Sequence, residues 1–203
     1  ERVAQITEDN LRAYVKTLTD LGPHPAFFDD GVNLARAADY IQEQLRSFGY
    51  EPVEEPFQES TDFMDGGERR RDTRELKNII AELRGAEEPD VIVELSAHYD
   101  TVTTSSGADD NNSAVAGVLE AARVLAGAKC KKTIRFVFFS AEEYGLLGSA
   151  AHVKNVLADS RRKVEGVLNL EMIGYATDAP DTQKVPARIP FLVWPPTTGN
   201  FIV

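Results

Sequence analysis

Cysteine is almost missing from this sequence. Cys130 is the single one in 203 residues, so no disulfide can close within the chain and a zinc site built on thiolates is excluded. Histidine is scarce as well, with three residues, His24, His98 and His152. No apolar run approaches the ~18 residues of a membrane span, so no transmembrane helix is expected. The chain opens on the charged stretch ERVAQITEDN, without the apolar core of a signal peptide. Starting at Glu1 rather than Met, it reads as trimmed or processed. Basic residues are outnumbered, 22 Lys and Arg against 33 Asp and Glu, for a formal net charge of -11. That acidity argues against a nucleic-acid partner or an anionic membrane surface.

What remains suffices for a folded core. Hydrophobic residues make up 42% of the chain, more than a disordered segment carries. The length suits one α/β domain or two small ones, and no repeat or linker divides it. Residues 7–22 and 33–49 read as helices. Thr7 can cap the first, and Leu11, Val15 and Leu18 keep helical spacing; in the second, Leu34, Ala38, Ile41 and Leu45 share a face and Gly49 is the stop. EPVEEPFQ (51–58) reads as an edge strand because its prolines cannot donate to a central ladder. DGGERRRDTRE (65–75) reads as a polar loop, its arginine run a solvated hairpin tip, and 75–85 alternates like a strand. From residue 91 the order is strand (91–97), helix (113–127), strand (133–140), helix (146–159) and strand (164–171). That alternation predicts an α/β fold, a three-layer αβα sandwich with a mixed, mainly parallel sheet whose edge strands near 51–58 and 75–83 run antiparallel.

The stretch FSAEEYGLLGS (139–149) sets Glu142 and Glu143 side by side where an apolar strand ends. The other chemistry-bearing residues fall at equivalent places. His98 and Asp100 follow one strand, Asp109 and Asp110 precede a helix, and Glu171 closes the last strand. Sites in open α/β sheets form outside the carboxyl ends of the strands. Carboxylates converging there without basic partners would repel and resist ionising, and a divalent cation resolves the conflict. Histidine with carboxylates suits zinc. Neighbouring residues at a strand corner point different ways, so one of the two glutamates can hold metal while the other takes a proton from water during attack on a carbonyl.

Four blocks, SAHYDTV, GADDNNSAVAGVLEAARVL, FVFFSAEEYGLLGS and GVLNLEMIGY, resemble in order and spacing the signature blocks of the co-catalytic dizinc aminopeptidase family. This zinc-exopeptidase group also has glutamate-carboxypeptidase-like and glutaminyl-cyclase-like members. The resemblance extends over residues 20–175 and takes in the N-terminal run from LGPHPAFF to EPF. It implies a zinc metallopeptidase that removes N-terminal residues from peptides and binds two zinc ions. Carried onto this chain, it implies that His98 binds one zinc, Asp110 bridges both and Glu143 binds the second. Glu142 would be the general acid/base and Asp100 would orient the His98 imidazole. Glu171 stands where the family has an aspartate ligand, and one more methylene still lets it reach the metal.

The family's fifth ligand is a later histidine. His24 reads as a surface or packing residue and His152, mid-helix, as structural, so the missing histidine is expected beyond Val203. The chain is accordingly expected to be the N-terminal portion, residues 1–203, of a longer catalytic domain. Alternatives on the same fold are a glutaminyl-cyclase-like, carboxypeptidase or dipeptidase activity, or a non-catalytic receptor-like binding domain. An intact base at Glu142 argues against the last. Taken alone, Asp109, Asp110 and Asn111 could be a helix N-cap, and Cys130 reads as an ordinary surface or half-buried thiol. Family habit points to export to periplasm, cell surface or medium. The proline-rich segment after Tyr175 could line the substrate pocket or cross the surface, and nothing in the residues sets the oligomeric state.

Overall fold

A computed structural model describes residues 2–177. The proline-rich segment beyond Thr177 and the apolar run at 200–203 lie outside the described residues. Helix α1 (Glu8–Asp20) starts where expected, with the Thr7 side chain accepting the Asn10 N–H at 3.2 Å. Tyr14 and Leu18 form its buried face, with Leu11 and Val15 packed beside them. Helix α2 (Val32–Ser47) buries Leu34, Ala37, Ala38, Ile41 and Leu45. It ends at Gly49, whose φ of +92° is open to glycine and strained for other residues.

Strands β1 (Val53–Asp65) and β2 (Glu68–Leu83) form a long antiparallel hairpin. This corrects the reading of 65–75 as a loop: the turn is only Gly66–Gly67, and Arg69 to Arg74 belong to β2. The local cause is cross-strand charge pairing. Asp62 lies opposite Arg71 and bonds both Arg71 and Arg69, at 2.9 and 2.6 Å, so a polar run that reads as loop is held extended.

Then follow β3 (Glu88–His98), α3 (Asn112–Leu125), β4 (Lys132–Phe139), α4 (Leu147–Ala158) and β5 (Lys163–Asn169). The sheet order is β1-β2-β4-β3-β5. The β1–β2 and β2–β4 pairs are antiparallel, while β3 pairs in parallel with β4 and β5, so β2 alone runs against the rest. The sheet is therefore mixed and mainly parallel, as expected. In contrast to the expectation of two edge strands, β2 is interior, flanked by β1 and β4. Strand β5 also stops at Asn169, short of Glu171.

Side chains alternate across the sheet. Ala97, Ile79, Ala81, Phe136 and Phe138 face α1, α2 and α3 and build the main core with Leu18, Ile41, Leu45 and Leu119. The opposite face carries α4, where the His152 ring lies 5.7 Å from that of Phe139. This gives the three layers.

Candidate metal centre

Strand order decides where the functional side chains meet. His98, the last residue of β3, is in register with Phe139 at the end of β4. Glu142 and Glu143 leave β4 three and four residues further on, to one side of His98. On the other side, β3 pairs β5 through Ser96 and Asn169, which sets Glu171 two residues past the strand. The loop entering α3 brings Asp110 over the same edge. The Asp110–Asn111 peptide bond is cis. Gly107 allows this loop to close: its φ is +66°, and a Cβ there would lie 2.5 Å from the Asp110 carbonyl oxygen.

His98 is 2% exposed, and its Nε2 lies 3.2 Å from Asp110 Oδ1, 3.4 Å from Glu171 Oε1 and 3.7 Å from Glu142 Oε2. Donor atoms of His98, Asp110 and Glu171 all fall within 4.8 Å of one another. The tautomer follows from the other nitrogen, where Nδ1 donates to the Asp100 carbonyl oxygen at 3.1 Å. In the neutral ring Nε2 is then a bare lone pair, buried and without a hydrogen-bond partner. One imidazole nitrogen and two carboxylate oxygens converging on a point is a donor set that fits zinc. A nitrogen so buried needs either a cation or a proton. Burial alone would lower the affinity of His98 for a proton, but the carboxylates of Asp100 and Glu171 more than offset it and hold the pKa up to about 11.

The two adjacent glutamates differ. Burial, with Glu171, Asp100 and Asp110 close by, raises the Glu142 carboxyl above its ordinary value. Glu143 is also raised, by burial first and then by Asp110, the carboxylate it senses most strongly. Glu143 stands outside the three-residue donor group. The corner that separates the two from β4 is Ala141, buried with a φ of 58°. Asp100 pins this corner, because its buried carboxylate accepts the N–H groups of Glu142 and Glu143 at 2.9 and 3.3 Å. Its Oδ1 is 3.5 Å from His98 Nδ1, so it is the Asp100 carbonyl, rather than its carboxylate, that makes the shorter contact to the imidazole.

Sequence reasoning missed Asn111. Its Nδ2 donates to Glu171 Oε2 at 3.0 Å and to the Leu170 carbonyl at 3.2 Å, and its Oδ1 accepts the Met172 N–H at 3.0 Å. It sits at the N-cap position of α3 yet makes no capping bond; its side chain is committed to the Glu171 loop. Asp109 plays a similar part, its Oδ1 accepting the Gly174 N–H at 2.8 Å. The run DDNN was visible in the sequence, but nothing local distinguishes the residue facing the donor cluster from those bracing it.

The remaining histidines lie elsewhere. His24 is fully buried, which selects packing over surface, and its Nδ1 donates to the Gly22 carbonyl at 2.8 Å. His152 is bonded between Glu55 and Glu94, at 3.0 and 3.1 Å, which agrees with a structural role. Cys130 is a half-buried free thiol.

A sequence model described as peptidase family M28 matches residues 78–192. The uncharacterized protein YfbL of Escherichia coli is 34% identical over 208 residues, covering 96% of this chain and 58% of that protein. Aminopeptidase YwaD of Bacillus subtilis is 43% identical over 100 residues, covering 48% of this chain and 22% of its own length. The chain thus spans just over half of the first relative and about a fifth of the second. Among solved structures, the aminopeptidase of Aneurinibacillus sp. strain AM-1 superposes with a TM-score of 0.72 at 19% identity, over 85% of this chain and 72% of that one; at that identity the likeness is one of fold.

Proposed function

The chain belongs to peptidase family M28, and from that premise we propose that it carries the metal-binding part of a zinc-dependent aminopeptidase acting on peptides with a free amino terminus. The observation that carries the reading is the buried, unpartnered His98 Nε2 facing Asp110, Glu171 and Glu142. The aminopeptidase name of YwaD supports the activity chosen.

In this reading His98, Asp110 and Glu171 would hold one zinc, and Asp110 together with Glu143 would serve a second. When bound, zinc supplies Lewis acidity toward a carbonyl and toward water. The protein's own residues do the rest. Glu142 stays off the metal, close enough to the cluster to take a proton from the attacking water and to return it to the leaving amine. Asp100 fixes the backbone on which both glutamates stand, and Asn111 orients Glu171 through the oxygen that faces away from His98.

The test pairs elemental analysis with an assay. Full-length protein purified without chelator should contain zinc, two ions per chain, and should release the first residue of free peptides but not of N-acetylated ones. Chelation should abolish the release and zinc should restore it. Protein that turns over without zinc, or that prefers blocked termini, contradicts the reading. One zinc per chain with cyclisation of N-terminal glutamine would select the glutaminyl-cyclase-like alternative.

A further inference from the structure

Phe28 is a large apolar residue in the wrong place for stability alone. It is 45% exposed, and its φ of 73° puts it in the left-handed region, which is disfavoured for a residue with a Cβ. The neighbouring Phe27, by contrast, is fully buried. Phe28 is held there by β2. Its N–H donates to Asp72 Oδ2 at 3.1 Å. Arg74 is bonded to the same carboxylate at 2.7 and 2.9 Å and also donates to the Asp29 carbonyl. The hairpin therefore grips the chain on both sides of the exposed ring.

That ring is not isolated. It meets Phe63 of β1 edge-on at 5.3 Å and Tyr144 at 5.7 Å. Tyr144 in turn packs against Phe27 at 5.1 Å and directly follows Glu142 and Glu143. Strand β2 pairs with β4 only over residues 79–83, so the part of the hairpin that carries Phe63 and Asp72 projects past the body of the sheet. A projecting arm, an aromatic residue kept exposed in a strained backbone, and a tyrosine that directly follows the tandem glutamates are joined in one cluster of rings. Exposed strain of this kind persists where function requires it.

We propose that Phe28, Phe63 and Tyr144 form an aromatic wall that receives a large apolar or aromatic side chain of the peptide beside the scissile bond, and so set substrate preference. This rests on the peptidase reading above. Aromatic faces in edge-to-face contact leave room for a further ring, and such contacts add to the burial of the guest side chain.

The experiment is calorimetric titration of the zinc-loaded, full-length Glu142→Gln protein, which binds without turning over. The probes are Phe-Ala-Ala, Ala-Phe-Ala and Ala-Ala-Ala. One of the two Phe peptides should bind about tenfold or more tightly than Ala-Ala-Ala, within the range that apolar pockets provide, and which one does so tells on which side of the scissile bond the wall lies. Adding Phe28→Ala should abolish that preference and leave Ala-Ala-Ala affinity nearly unchanged. Phe28→Leu should keep part of it. Phe63→Ala, on the projecting arm, should act like Phe28→Ala without risk to the core. Absence of preference in the parent, persistence of it in both alanine variants, or equal weakening of all three peptides overturns the proposal; the last would mean that the rings only dock the arm. Peptides bound with this preference but never cleaved by the wild-type protein would overturn the peptidase reading and not the wall.

Discussion

The carboxylate of Asp100 holds the backbone of Glu142, accepting its N–H at 2.9 Å, and accepts that of Glu143 from the same buried position. The aspartate on one strand end thus sets the direction of the glutamates on the next. Asp100→Asn should break this arrangement while nearly preserving shape, because an amide turned to accept one N–H presents its own donor to the other. The expected result is a folded protein with turnover lowered about 10–100-fold, the usual scale for groups that orient metal ligands. Steady-state kinetics beside a thermal melt checks it, and wild-type turnover would show that the corner holds itself.

The tandem glutamates should separate by substitution. Glu142→Gln should retain zinc and lose about 10²–10⁴-fold in rate, since glutamine keeps the volume but cannot accept a proton. Glu143→Gln should instead lower zinc content. Metal analysis and turnover on the same samples distinguish the two, and a Glu142→Gln protein with near-normal turnover and bound zinc would sink the assignment.

Asn111 braces Glu171 directly and also holds the backbone of its two neighbours, Leu170 and Met172. Asn111→Ala should leave the Met172 N–H and the Leu170 carbonyl without their partner, costing about 1–3 kcal/mol of stability. It should also weaken zinc binding, because Glu171 is then free to turn. Asn111→Asp should weaken zinc binding further by placing a like charge against Glu171. Competition titration with a chromophoric chelator gives the ranking, and equal affinity in all three proteins would contradict it.

His152 links stability to pH. Burial alone would lower its pKa, but Glu55 and Glu94 raise it to about 9 from an ordinary 6.5. A raised histidine stabilises the fold fully below the unfolded value and loses that contribution as pH climbs through the folded one. Stability should therefore fall between about pH 6.5 and pH 9, by up to ~3 kcal/mol. Glu55 acts at the other end. Against its own burial, His152 and Asn78 lower it to about 2, so its contribution is present above its ordinary value of 4.5 and fades as pH falls toward 2. Denaturant midpoints measured across pH should show a plateau between these limits, and His152→Gln should remove the alkaline slope. A variant with the same slope as wild type would assign it elsewhere.

The sequence by itself determined the alternation from β3 to β5, because hydrophobic period is written in residues close along the chain. It also determined that His98, Glu142 and Glu171 lie at or just past strand ends and Asp110 just before a helix, and parallel strands bring such ends to one edge. What it left open depends on neighbours through space. Arg69 to Arg74 look like loop until Asp62 stands opposite them in β1. His152 is an unremarkable helix residue until Glu55 and Glu94, 97 and 58 positions away, close on its two nitrogens. Asp110 and Asn111 are adjacent and alike in size, and only the Glu171 loop folding back over α3 puts the first in the donor cluster and gives the second a carboxylate to brace. Strand order decided the site itself. With β3 between β4 and β5, His98 has Glu142 on one side and Glu171 on the other, and no pattern along the chain encodes which strands lie side by side.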